Sequence, residues 1–365
     1  MLNAEEKSRY HRHLILQGFG EVAQEKLKRA SVLVIGAGGL SCPALLYLTA
    51  AGVGRIGIMD DDRVEISNLQ RQILFSSESV GRNKAQAAAE ELRKRNPFIE
   101  LAPIPERLTT KNALKLFGEF DIILDGTDNF SSRYLINDAA VLSRKPVVYG
   151  SIFKFEGQLS VFNYQNGATY RCLFPDPPAA GTVPNCAEIG VIGVLPGIIG
   201  TQQANEVIKI ITGIGEPCSG KLVLYNSLKA EYTSVTISRN DDAVEKVRNN
   251  ASLFEQMDYA LFCGETSTNP RYEIDLVEFK RLLADGHITV LDVREPSELP
   301  ELSYPKKIQI SLRILPENTS KIPSLEQVVV ICQSGKRSLA ALRLLKDEYN
   351  FRNLVSLKGG IGQYV

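Results

Sequence analysis

Two stretches of this chain carry residue types suited to making and breaking bonds. Ile35-Gly36-Ala37-Gly38-Gly39-Leu40-Ser41 follows a short β-type run, Ser31-Val32-Leu33-Val34, and leads into a helical segment. A glycine turn in that place lets backbone N–H groups and the positive end of a helix close on a phosphate. Gly36 and Gly38 permit the tight turn. Asp60 ends the next apolar run, Arg55-Ile56-Gly57-Ile58-Met59, at a separation that suits a carboxylate on a ribose hydroxyl. Ser41 stands where a plain dinucleotide fingerprint has its third glycine. Far down the chain, Val328-Val329-Val330-Ile331 runs into Cys332, followed by Gln333-Ser334-Gly335-Lys336-Arg337. A cysteine between a strand and a helix sits among N–H groups that stabilise a thiolate or persulfide, and Lys336 and Arg337 add positive charge. One loop is suited to an activating nucleotide, the other to a reactive sulfur.

The elements that must position these loops alternate. Residues 1–30 read as helical, and Pro43 falls in the first turn of the helix after the glycine loop, where a missing N–H costs little. Asn83 to Arg95 has the Ala-, Glu-, Lys- and Arg-rich composition of an exposed helix, which Pro97 stops. Phe98–Ile104, Asp121–Leu124 and Pro146–Tyr149 read as strands, with a helix near Ser131–Ser143. Such alternation predicts βαβ units and a mostly parallel sheet. Gln158–Tyr164, Lys221–Asn226 and Glu231–Ser238 read as later strands that pair antiparallel, and Gly197–Thr212 as a long helix. The loop from Phe174 to Val194 is rich in proline and glycine, a length that compact domains keep for function or leave disordered. A second α/β pattern then begins: helix Asp275–Leu283, strands Ile288–Asp292 and Val328–Cys332, helix Ser338–Tyr349 and strand Leu354–Leu357. The division expected is a first domain at 1–245, a linker at 246–270 and a small second domain at 271–365.

Composition narrows the partners. With 365 residues the chain exceeds a usual single core. Lys plus Arg equals Asp plus Glu at 42 each, so no global charge points to nucleic acid or a membrane surface. The charged first residues lack a signal peptide's apolar core, and no apolar run approaches a bilayer's thickness. Six cysteines without dense spacing fit a reducing cytoplasm. His11 and His13 are two apart, which on a helix does not place them on one face to share a metal.

Asp60-Asp61-Asp62-Arg63-Val64-Glu65-Ile66-Ser67-Asn68-Leu69-Gln70-Arg71-Gln72 resembles the D-x-D-x-V-x-x-S-N-L-x-R-Q segment of the E1-like adenylyltransferases. These enzymes activate ubiquitin-like proteins and the sulfur carriers of molybdopterin and thiamine biosynthesis. The resemblance continues through Val80–Ala85, Asp125-Gly126-Thr127-Asp128-Asn129, Pro184-Asn185-Cys186, Gly190–Gly193 and Gln203–Glu206, and covers about residues 9 to 238. It implies that Gly36, Gly38 and Gly39 contact phosphate and Asp60 the ribose. It implies that Asn68, Arg71, Gln72 and Lys84 line the triphosphate of ATP and that Asp128 helps hold Mg²⁺. Arg9-Tyr10-His11-Arg12 is similar to the family's amino-terminal segment, whose second arginine, Arg12 here, reaches the partner subunit's active site in a homodimer. A carboxylate attacking the α-phosphate needs no enzyme nucleophile, so the catalytic demands are positioning and neutralisation of charge.

Cys332–Arg337, with Val290–Glu295 and Leu357-Lys358-Gly359-Gly360-Ile361, resembles a rhodanese domain. Tyrosine phosphatases place five residues between their cysteine and arginine. Four separate Cys332 from Arg337, and the tighter loop suits sulfur rather than phosphate. Asp292 and Arg294 read as structural, as do Cys42 and Cys218. Cys186 stands where several relatives carry a cysteine; thioester formation, resolution of an acyl disulfide and no role at all stay open there. Many relatives hold zinc through two C-x-x-C pairs, but Thr169 and Ala260 replace the first member of each, leaving Cys172 and Cys263, so no structural zinc is expected.

The expectation is an α/β protein, a Rossmann-like mixed-sheet adenylation domain followed by a small rhodanese-like domain. It would use ATP and Mg²⁺ to adenylate the Gly-Gly terminus of a ubiquitin-like sulfur carrier. A Cys332 persulfide, loaded by a donor such as a cysteine desulfurase, would then yield a thiocarboxylate. The alternatives are an activator that forms a thioester at Cys186 without sulfur transfer, and a nicotinamide oxidoreductase resting on the glycine turn alone.

Overall fold

The computed structural model describes residues 1–178, 190–263, 272–286, 288–324 and 326–363. Pro184-Asn185-Cys186 lies outside the described residues. Two compact units are present, the first ending at Tyr259 and the second following it.

In the first unit the apolar runs become β1 (Ser31–Ile35), β2 (Arg55–Met59) and β4 (Ile122–Asp125), buried on both faces as a covered parallel sheet requires, and β3 (Glu100–Ile104), an edge strand that buries only Leu101. β5 (Val147–Phe153), β6 (Glu156–Phe162), β7 (Lys221–Asn226) and β8 (Glu231–Thr236) complete one eight-stranded sheet. The order is β3-β2-β1-β4-β5-β6-β7-β8; the first five strands are parallel, and the last three join antiparallel. Strand order reverses direction between β1 and β4. In open α/β sheets that is where a ligand crevice forms, beyond the carboxyl ends of the strands. Register sets the crevice's floor, because Ile35 lies opposite Met59 on one side and Asp125 on the other. Gly36, Asp60 and Gly126 therefore leave the sheet at one level.

Around the sheet lie α1 (Ala4–Arg9), α2 (His11–Leu14), α3 (Gly20–Arg29), α4 (Ser41–Ala51), α5 (Lys84–Arg93), α6 (Thr110–Gly118), α7 (Phe130–Ser143), α8 (Tyr170–Leu173), α9 (Val194–Thr212) and α10 (Asp241–Asn249). Side chains of Asn83 and Asn129 accept backbone N–H bonds that cap α5 and α7. α9 begins earlier than expected, since Pro196 fits the first turn of a helix. The third strand starts at Glu100 rather than Phe98, two residues later, beyond the turn at Pro97.

The expected linker at 246–270 is not free chain over its first part. α10 buries Val244 and Val247 against Val141 of α7. A 3₁₀ turn, Ala251–Gln256, follows and buries Phe254. Tyr259 then donates its hydroxyl to buried Asp138 at 2.7 Å. The charged surface of 240–250 concealed this amphipathic stripe.

The second unit is a five-stranded, all-parallel sheet in the order β11-β10-β12-β13-β9. Its strands are β9 (Glu273–Ile274), β10 (Ile288–Asp292), β11 (Lys307–Gln309), β12 (Gln327–Ile331) and β13 (Leu354–Leu357). α11 (Leu276–Ala284) contributes Phe279 to the core on one face, and α12 (Lys336–Asp347) contributes Leu342 and Leu345 on the other. No described helix is long and apolar enough to cross a membrane.

Candidate active site

The glycine loop closes over the β1–β4 crevice. Gly36 has φ +85°, and a β-carbon there would stand 3.1 Å from the Gly126 carbonyl oxygen. A β-carbon on Gly39 would press on Pro196 at 3.2 Å and on the Arg71 stem at 3.4 Å. No side chain caps the amino terminus of α4; the Cys42 N–H is taken by the Gly38 carbonyl at 2.9 Å, and Pro43 brings no N–H, so the end of the helix is left to the glycine loop's own backbone. The loop thus fits an anionic group carried by a ligand.

Asp60 is already engaged. One carboxylate oxygen accepts the Ala37 N–H at 2.7 Å and the other the Asp62 N–H at 2.8 Å. Burial raises its pKa, opposed by those bonds and by Lys84. Each oxygen keeps a further lone pair, so a ribose hydroxyl can still be accepted. Lys84, nearly buried at the start of α5, holds Asp62 at 3.0 Å. Arg71 donates to the Ser67 carbonyl at 3.1 Å while its stem touches the glycine loop. Gln72 is buried beside Gly38, and its Oε1 has no partner among the described residues. Asn68 is buried and closes the turn Ile66–Asn68, with its Oδ1 accepting the Glu65 N–H. Asp128 is exposed just beyond β4. Arg12 is exposed on α2 and makes no hydrogen bond or ion pair among the described residues.

Sequence reasoning named three further groups without giving them a role. Ser41, fully buried, takes the third glycine's place because Gly126 makes room for it: a β-carbon on Gly126 would lie 1.9 Å from Ser41 Oγ. Gln203, fully buried on α9, donates to the Asp125 and Val148 carbonyls at 2.7 and 3.2 Å and ties β4 to β5. Asp62, as Lys84's resident partner, is the third; the triplet Asp60-Asp61-Asp62 was its only signal, and those carboxylates lie within 4.8 Å of one another.

In the second unit Cys332 follows β12 with none of its surface exposed. Its sulfur accepts the Ser338 N–H at 3.3 Å and lies 3.5 Å from Ser338 Oγ, which in turn meets Ser356 Oγ at 2.8 Å. Gly335 turns the chain with φ +84° into α12, and Gly360 walls the loop so closely that a β-carbon would fall 2.4 Å from the Cys332 carbonyl oxygen. That explains the glycine at 360. The charge expectation needs correction at Arg337, whose guanidinium forms a two-pronged ion pair with Glu298 at 2.5 and 2.7 Å, so its charge is locally balanced. Lys336 is exposed. Asp292 and Arg294 form a buried ion pair at 2.9 Å, and Arg294 also holds the Pro300 carbonyl.

The other cysteines are held in place. Burial pushes the Cys42 thiol up to about 12. Burial and neighbouring Glu206 raise Cys218. Cys172 accepts N–H bonds from Thr169 at 3.3 Å and Asn240 at 3.2 Å.

Residues 10–246 match the ThiF family and residues 275–365 the rhodanese-like domain. The probable adenylyltransferase/sulfurtransferase MoeZ of Mycobacterium tuberculosis is 44% identical, covering 99% of this chain and 93% of that protein. The sulfur carrier protein adenylyltransferase of Thermus thermophilus is 48% identical over 71% of this chain and 97% of its own length. The adenylyltransferase and sulfurtransferase MOCS3 of Xenopus laevis is 38% identical over 96% of this chain and 83% of its own. Among solved structures, Escherichia coli MccB with ATP is similar at TM-score 0.56 and 25% identity, covering 64% of this chain and 72% of that one. A crevice built for an anionic ligand and a loop built around one sulfur thus agree with the relatives' names, and the chain belongs to the ThiF family with a rhodanese-like domain at its carboxyl end, an adenylyltransferase and sulfurtransferase.

Proposed function

We propose that the protein adenylates the C-terminal glycine of a small ubiquitin-like sulfur carrier and then converts that terminus to a thiocarboxylate. The observation that carries this reading is the level register of β1, β2 and β4, which gathers the glycine loop, Asp60 and the Asp128 loop around an uncapped helix start. Gly36, Gly38 and Gly39 hold the phosphates and Asp60 the ribose, while Asn68, Arg71, Gln72 and Lys84 line the triphosphate. Lys84 leaves Asp62 for phosphate, a stronger anion. Asp128 would hold Mg²⁺, which supplies neutralising charge for the phosphates. Arg12 is assigned to the neighbouring active site of a homodimer.

A carrier carboxylate oxygen attacks the α-phosphorus, and pyrophosphate leaves with the electron pair. The terminal sulfur of a Cys332 persulfide, delivered by a donor such as a cysteine desulfurase, then attacks the acyl carbonyl and expels AMP. The product is an acyl disulfide. A thiolate, for which Cys186 is the candidate, attacks the Cys332 sulfur and releases the thiocarboxylate, leaving a disulfide that an external thiol reduces. The test is ATP–pyrophosphate exchange that requires the carrier, together with the carrier's mass. Cys332→Ala should preserve exchange and abolish the oxygen-for-sulfur mass gain. Sulfur transfer that survives Cys332→Ala would overturn the second half of the reading.

A further inference from the structure

Behind the Asp128 loop lies a buried charge that the mechanism does not use. Arg133, one turn into α7, is 9% exposed, and its guanidinium is flanked by the rings of Tyr149 at 5.4 Å and Phe130 at 5.8 Å. It donates to the Thr127 carbonyl at 3.3 Å. Asp125, 1% exposed, accepts the Thr127 N–H at 2.9 Å and its hydroxyl at 2.7 Å. Thr127 is therefore gripped on both of its peptide units, and Asp128 is the next residue. Asn129 is fixed in turn as the cap of α7, accepting the Ser132 N–H at 2.9 Å. Gln203 holds the Asp125 carbonyl from the other side.

A guanidinium is an expensive packing element. Burial opposes its charge, while Tyr149, Tyr170, Asp125 and Asp128 raise its pKa. Its Nε has no hydrogen-bond partner among the described residues. A void of about 10 Å³ beside it, lined by Asp125, Asn137, Tyr149, Asn163 and Tyr170, has room for one water. An apolar side chain would fill this space but leave the buried Asp125 without the cation that offsets its burial, so the position answers to charge and not to packing alone.

We propose that Arg133 is a positioning residue for adenylation: by holding the Thr127 carbonyl it aims the Asp128 carboxylate at the divalent cation on the nucleotide phosphates. The proposal rests on the adenylation reading above.

The experiment measures ATP binding to the full chain by calorimetry, with and without Mg²⁺, alongside pyrophosphate exchange as a function of Mg²⁺ concentration. In the parent protein Mg²⁺ should tighten ATP binding. Arg133→Gln should lower that tightening by about tenfold, the effect typical of residues that orient metal ligands, with ATP binding in chelator unchanged. Arg133→Lys should restore part of it. In an Asp128→Asn background, Arg133→Gln should add nothing. Thr127→Val, which keeps Arg133 and loses one bond to Asp125, should show a smaller loss of the same kind and serves if Arg133→Gln does not fold. Unchanged Mg²⁺ coupling in Arg133→Gln, or losses that simply add to those of Asp128→Asn, would overturn the inference. A parent protein that binds no ATP would instead overturn the adenylation reading.

Discussion

Ser41 and Gly126 share one volume at the floor of the crevice. The serine hydroxyl sits 1.9 Å from where a β-carbon on Gly126 would stand, so the two positions can hold only one substituent. Gly126→Ala should cost about 1–3 kcal/mol by overpacking, and Ser41→Gly in the same chain should recover most of it. Urea denaturation of the single and double variants tests this; additive losses would refute it. A second residue-scale pair, Glu298 and Arg337, makes a pH prediction. The guanidinium, against partial burial, holds the Glu298 carboxyl below its ordinary value. A depressed folded-state value stabilises above the unfolded pKa and is lost as pH falls through the folded one. At 28% and 23% exposure the pair is partly screened, so its contribution is about 1 kcal/mol or less. The difference in Tm between parent and Glu298→Gln should therefore be present at neutral pH and vanish on acidification below about pH 4. A difference that grows toward acid would contradict the sign.

At the scale of elements, α10 and Tyr259 clasp α7, while the turn between them lies against α6, whose Thr110 hydroxyl donates to the Glu255 carbonyl. Val244, Val247 and Phe254 supply apolar burial. Tyr259 contributes the polar lock, its hydroxyl donating to an Asp138 carboxylate that Arg171 also binds through Nε at 2.7 Å and Nη2 at 2.8 Å. Removing the Tyr259 hydroxyl leaves a buried carboxylate short of one donor, which costs about 1–3 kcal/mol. Tyr259→Phe should speed amide exchange across residues 250–259 while leaving the β1–β5 core protected. Equal protection of the segment in both proteins would show that the apolar contacts alone hold the clasp.

At the scale of the molecule, each unit has a core of its own: one built around β1, β2 and β4, the other around β10 and β12. Separate cores imply separable folding. A chain ending at Cys263 should fold and retain carrier-dependent pyrophosphate exchange while losing all sulfur transfer. The measurement is exchange in the truncated protein beside the parent. Loss of exchange with retained folding would mean that the second unit contributes to adenylation itself.

The sequence by itself determined which chemistry is present. Its local signals are strong because the glycine turns, the apolar strands and the Cys332 loop depend on backbone conformations that few residues permit. Strands β1, β2, β7 and β10 were legible to within a residue because continuous apolar runs bounded by turns leave little choice of register. Tertiary structure alone decided which groups meet. Gln203 is one α9 glutamine among others until the helix lies across β4 and β5, and the stripe of α10 reads as charged chain until α7 covers it. Arg337 reads as a cation for sulfur until Glu298, distant in sequence, arrives beside it. Arg133 is an ordinary helix residue until folding removes water from around it and makes its one bond to Thr127 matter. In each case the deciding term is the loss of solvent or the arrival of a remote partner, and neither is written in local spacing.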